Sequence, residues 1–117
     1  MSDLKVSDKL MGDYAIVKIS GELYPKMVSV LDAKMGEILE KTKRIILDFS
    51  HLEYICSAAV GYIVAYNNQA SDAGGRVIVT EVNQKIKKIL EIIGFPRMID
   101  MTDSMDEAVD MMQNDIL

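Results

Sequence analysis

The stretch LDFSHLEYICSAAVGYIVAY, residues 47–66, gathers four side chains able to do chemistry: Asp48, His51, Cys56 and Ser57. The chain has one histidine and one cysteine. His51 and Cys56 stand five residues apart, which raises the prospect of a thiol–imidazole nucleophile. Such a pair needs spatial contact and a third group to orient the ring. Both residues fall in a strand-to-helix connection, and no orienting partner is identifiable. No lysine or arginine lies near Cys56 in sequence to lower its pKa, so a redox-sensing role has little support. Asp48 ends an apolar run, where many α/β sites gather, but one carboxylate makes no acid–base pair. A turn or capping role suits it better. Ser57 has two jobs open to it. At a helix start its hydroxyl can cap a backbone N–H, or it can accept a phosphate, whose charge the helix end favours.

Other chemistry has no residues to carry it. The sequence holds no CxxC or HExxH for a metal and no GxGxxG or Walker pattern for a nucleotide. No catalytic residue, metal or cofactor is expected. The net charge of −5 argues against nucleic acid, because phosphate contacts need clustered cations. A single cysteine excludes an internal disulfide, which fits a reducing, cytoplasmic setting. The segment MSDLKVSDKL is polar and mixed in charge, unlike a signal peptide. The uncharged run 54–71 approaches membrane-spanning length, yet Ser57, Gly61, Asn67, Asn68, Gln69 and Ser71 interrupt it, and burying those polar groups in lipid is costly.

The elements that must position Ser57 follow from periodicity. LKVSDKL alternates as an edge strand with Asp8 as a mismatch, MGD turns, and YAIVKI pairs back, so residues 4–19 form a hairpin that SGELYP ends. From Pro25 to Lys41, Met27, Leu31, Met35, Ile38 and Leu39 share a helical face. RIILDF is a central, doubly covered strand. A second helix runs from Ser57 to Ala73 and stops at Gly74–Gly75. RVIVT is a buried strand. NQKIKKILEIIG is a short helix capped by Asn83 and stopped by Gly94. RMIDM gives a short last strand. The final helix carries Met105, Ala108, Val109, Met112 and Ile116 inward, with Asp103 or Ser104 as cap. The order β-β-α-β-α-β-α-β-α predicts one α/β domain over residues 1–117, a mixed sheet of four to five strands flanked by about four helices.

Helix two is the unusual element. Val60, Ile63, Val64 and Asn67 are expected inward, and Ala58, Ala59, Tyr62, Tyr66 and Gln69 outward. A solvated helix face normally carries Lys or Glu, and this one has none. Small residues beside tyrosines make a flat apolar docking surface, unless other parts of the chain cover it. The nine methionines fill core gaps or soften a binding surface.

The stretch from Arg44 to Phe95 resembles the STAS domain, in particular the bacterial anti-sigma factor antagonists. Asp48, Phe49, Ser50, Leu52, Tyr54, Ile55, Ser57, Val60 and Gly61 stand at that family's motif positions, GGRVIVTEVNQKIKKILEIIGF matches its strand, loop and short helix, and ISGELY resembles its Gly-Glu-Leu-Asp segment. Three positions depart: Cys56 and Tyr24 replace aspartates, and Ala59 replaces a glycine. The resemblance implies a cytoplasmic regulator of transcription. An anti-sigma factor with serine kinase activity would bind it and phosphorylate Ser57, and a phosphatase would reset it. Tyr24, Cys56, Ser57, Ala58, Ala59, Gly61, Tyr62 and Tyr66 are then the expected contact residues. The alternative is an unphosphorylated scaffold that works by docking or oligomerisation, with a homodimer as one form.

Overall fold

The computed structural model describes residues 4–114. The expected Ile116 contact lies outside them. The chain opens with the hairpin β1 (Lys5–Leu10) and β2 (Ala15–Leu23), paired antiparallel from Lys5↔Ser20 to Leu10↔Ala15. A 3-10 turn, Pro25–Met27, leads into α1 (Val28–Lys41). Then come β3 (Arg44–Asp48), β4 (Leu52–Ile55), α2 (Ser57–Asp72), β5 (Arg76–Thr80), α3 (Gln84–Ile92), β6 (Asp100–Thr102) and α4 (Met105–Gln113). The six-stranded sheet has the order β1-β2-β3-β5-β6, with β4 pairing β2 beyond the end of β3. All pairings except the hairpin are parallel.

Two departures from the sequence expectation matter here. SGELYP does not end the second strand: β2 runs through Ser20 to Leu23. The supposed connection after Asp48 contains a sixth strand, β4, so the order is β-β-α-β-β-α-β-α-β-α. Both differences have one cause. The C-terminal part of β2 pairs Gly21↔Leu52, Glu22↔Tyr54 and Leu23↔Ile55, with a register shift between Gly21 and Glu22. Glycine at 21 permits the φ of +98° at this irregularity. In β4 only Leu52 and Ile55 are buried, a spacing without the period-two alternation that marks a strand.

Strand alternation divides the core between two layers. Ala15, Val17, Ile19, Ile45, Leu47, Val77 and Val79 face one side, under Leu31, Met35 and Ile38 of α1, Ala59, Ile63 and Ala70 of α2, and Ile86 and Leu90 of α3. Ile46 and Ile78 face the other side, where Ala108 and Met112 of α4 and Tyr14 cover them. The caps are as expected. The Asn83 carboxamide accepts from the Ile86 N–H at 2.9 Å, and the Ser104 hydroxyl accepts from the Glu107 N–H at 3.2 Å.

The glycine pair after α2 does two separate things. Gly74 takes the left-handed conformation, φ +85°. Gly75 lies against Lys43, where an added Cβ would sit inside the van der Waals envelope of the carbonyl oxygen and 2.6 Å from its carbon. That carbonyl also accepts from the Arg76 N–H at 2.9 Å, so it is fixed in place. Urea unfolding should therefore show Gly75→Ala losing about 3 kcal/mol by overpacking. Gly74→Ala should lose about 1 kcal/mol by conformational strain alone.

Candidate functional site

The route from β3 to α2 is built around Asp48. Its Oδ1 accepts from the Ser50 N–H at 2.9 Å, making a side-chain turn that lets the chain step from β3 into β4. Within this step the Phe49 N–H donates to Thr80 O, the Leu52 N–H to Phe49 O, and the Gly21 N–H to His51 O, each at 3.0 Å. Asp48 is thus a turn residue. His51 Nδ1 lies 3.0 Å from the Ser50 hydroxyl, at the exposed start of β4. Cys56 is buried beyond the other end of that strand. About 15 Å of extended chain separates the two, so the thiol and the imidazole form no nucleophilic pair.

Cys56, and not Ser57, is the N-cap of α2. It has extended backbone angles, and no side chain caps this helix. Its N–H donates to Leu23 O at 3.1 Å, which ties the helix start to the end of β2. Ser57 follows as the first helical residue and is exposed. Among the described residues nothing hydrogen-bonds its hydroxyl. The capping role is therefore not the one Ser57 plays. The first-turn N–H groups of α2 keep their partial positive charge without a side-chain acceptor.

Beyond Ser57 the exposed ridge of α2 consists of Ala58, Gly61, Tyr62, Ala65, Asn68 and Gln69. Ala58, Gly61, Tyr62 and Ala65 line one shallow apolar depression. Two residues expected on this face are not there. Ala59 is fully buried, and Tyr66 is 5% exposed against 43% for Tyr62. α1 packs against that flank of α2, and the Tyr66 hydroxyl donates to Asp32 Oδ1 across the gap at 2.8 Å. Burial, helped by the Asp32 carboxylate, pushes the Tyr66 phenol well above its usual range. Cys56 also lies in the core, so its side chain is presented inward. On the opposite flank the Asn67 amide joins α2 to its surroundings: it donates to Met98 O at 3.1 Å and accepts from the Val77 N–H at 3.2 Å.

Tyr24 is half-buried where β2 ends, one residue beyond the Leu23 carbonyl that holds Cys56. Its ring packs on Tyr54, with centroids 4.9 Å apart. The hydroxyl donates to Glu22, and that bond is the main reason its pKa is raised. Tyr54 is 38% exposed and belongs to this surface. Sequence reasoning missed it as a contact residue because β4 itself was not visible. Ala65 was missed as well, although its place one turn beyond Gly61 and Tyr62 was a usable signal.

Comparison with known proteins gives a consistent picture. A model of the STAS domain matches residues 4–108. BtrV of Bordetella bronchiseptica, named as a candidate anti-sigma factor antagonist, is 24% identical over 102 residues, covering 86% of this chain and 87% of that one. The anti-sigma F factor antagonist of Paenibacillus polymyxa is 24% identical over 91 residues, covering 76% and 78%. The Bacillus protein SpoIIAA, an anti-sigma factor antagonist solved in its unphosphorylated form, superposes with a TM-score of 0.79 at 19% identity, over 97% of this chain and 99% of that one. Among the described residues no helix is long and apolar enough to cross a membrane.

Two stability measurements check this geometry. Ser57→Ala should change unfolding free energy by less than about 0.5 kcal/mol, because the hydroxyl caps nothing. Tyr66→Phe should cost about 1 kcal/mol at neutral pH. The pH profile carries a sign. The folded phenol stays protonated while the unfolded one ionises, so this contribution is complete below about pH 10 and is lost as the pH rises further. The deficit of Tyr66→Phe against wild type should shrink through that alkaline range.

Proposed function

The chain belongs to the STAS domain family, and on that premise we propose that it is an anti-sigma factor antagonist switched by phosphorylation at Ser57. The observation that carries the reading is an exposed, unengaged hydroxyl on the first turn of α2, at the head of an uncharged ridge. The unmodified protein binds an anti-sigma factor through Ser57, Ala58, Gly61, Tyr62 and Ala65, with Tyr24 and Tyr54 at the flank. Cys56, Ala59 and Tyr66 support that surface from beneath. Relatives named as antagonists support the partner class, and SpoIIAA is known in both phosphorylated and unphosphorylated forms.

The physical logic is local. The partner's serine kinase activity transfers a phosphoryl group to the Ser57 oxygen, and a phosphatase removes it. The phosphate adds nearly two negative charges at the head of α2, where uncapped N–H groups and the helix dipole accept them. The fold therefore tolerates the modification. A partner seated on the apolar ridge does not, because it must desolvate that charge.

The test uses this protein with the anti-sigma factor kinases of its own cell. Incubation with ATP should add one phosphate, located at Ser57 by mass spectrometry. Ser57→Asp should weaken binding at least tenfold, about 1.4 kcal/mol, and Ser57→Ala should bind as wild type but resist modification. Tyr62→Ala should also weaken binding while leaving the unfolding transition in place. Phosphorylated protein should melt no lower than the unmodified form. Absent modification together with unimpaired binding by Ser57→Asp would instead favour a scaffold that docks without switching.

A further inference from the structure

The two faces of the sheet are covered unequally. On the α4 side the helix lies over β3, β5 and β6. The even positions of β3 and β5, Ile46 and Ile78, are fully buried there. The same face of β2 is only half-buried at Ile16, Lys18 and Ser20, and on β1 the residues beside them, Lys5, Ser7 and Lys9, are exposed. Register puts Ser7 opposite Lys18, Lys5 opposite Ser20 and Lys9 opposite Ile16, so these side chains share one floor. Among the described residues Lys5, Lys9 and Lys18 form no ion pair. In a chain of net charge −5 the three lysines make the β1–β2 floor cationic up to its border with β3, where Asp48 is in register with Lys18.

Beside the floor stands α4. Its nine residues include three acids, Asp106, Glu107 and Asp110, and no base. All three are exposed. The shapes complement one another as the charges do. Two strands about 4.8 Å apart leave a floor roughly as wide as one helix, and a helix packed on a sheet stands about 10 Å proud of it. A step of that kind fits its own copy under a two-fold axis, with each ridge entering the other's slot.

We propose that this protein forms a symmetric homodimer in which α4 of each copy lies on the β1–β2 floor of the other. Asp106, Glu107 and Asp110 then face Lys5, Lys9 and Lys18. This surface is on the opposite side of the sheet from α2, so it is independent of the Ser57 reading and leaves both ridges open.

A charge swap tests it, followed by sedimentation velocity on the full chain. Wild type should show a dimer whose fraction rises with concentration. Lys5→Glu/Lys9→Glu should lose the dimer, as should Asp106→Lys/Asp110→Lys. Melting curves would verify that both variants fold, since all four positions are exposed. An equal mixture of the two should regain a dimer, because each slot then meets a ridge of opposite sign. Wild type that stays monomeric at its highest attainable concentration would overturn the proposal. So would variants that still self-associate, or a mixture that stays monomeric.

Discussion

One edge of β2 has to serve two successive strands, and the rest of the molecule is arranged around that demand. β3 uses Ala15 to Lys18 and β4 uses Gly21 to Leu23. Between them the chain must step sideways without leaving buried backbone groups unpaired. The Asp48 carboxylate holds the Ser50 N–H, Thr80 takes the Phe49 N–H, and His51 O takes the N–H of Gly21. β4 then runs on until the Cys56 N–H reaches Leu23 O. The position of the first turn of α2 is therefore set by hydrogen bonds to a strand far earlier in the chain. Asp48 and His51, which looked like chemistry in the sequence, serve to place Ser57.

Much of this was legible because it is local. β3 and β5 are continuous apolar runs, as doubly covered strands should be. α1 shows its inner face through Leu31, Met35, Ile38 and Leu39, and Asn83 announces the start of α3. β4 was not legible. Four residues with burial only at Leu52 and Ile55 follow neither helical nor strand period, and their pairing partner lies about thirty residues away. The phase of α2 was only partly legible for a related reason. A helix with charges on one side declares which side is wet, and this one has none until Asp72. Ile63 was assigned inward correctly. Tyr66 was misplaced because its partner, Asp32, belongs to another helix. A tyrosine with a hydrogen-bond acceptor at its tip is content in a core.

The asymmetric covering of the sheet follows from the same topology. Right-handed crossovers place α1, α2 and α3 on one side, leaving α4 alone on the other. One helix cannot cover five strands, so β1 and β2 keep a wet face, and their sequence alternates accordingly: Ala15, Val17 and Ile19 are buried while Lys18 and Ser20 are not. A surface built this way is polar by construction. The α2 ridge is the reverse: uncharged, with small residues beside Tyr62 lining a shallow apolar depression. The two surfaces differ in kind and lie on opposite faces, so occupancy of one does not obstruct the other.

The departure at Cys56 bears directly on the proposed switch. The STAS resemblance expects aspartate here, and this position is the N-cap of α2. An aspartate with these backbone angles would offer its carboxylate to the first-turn N–H groups, a contribution of about 1 kcal/mol. A cysteine turned into the core offers nothing of the kind. The helix start consequently keeps its donors unclaimed by any side-chain cap. A phosphate on Ser57 would meet donors not yet satisfied by a side chain, with no carboxylate at position 56 competing for them. On the serine side of the proposed switch, the missing acid makes the modified state easier to hold. What it removes is an acidic group next to the acceptor, so any cost of the substitution falls on recognition by the enzyme and not on the stability of the product.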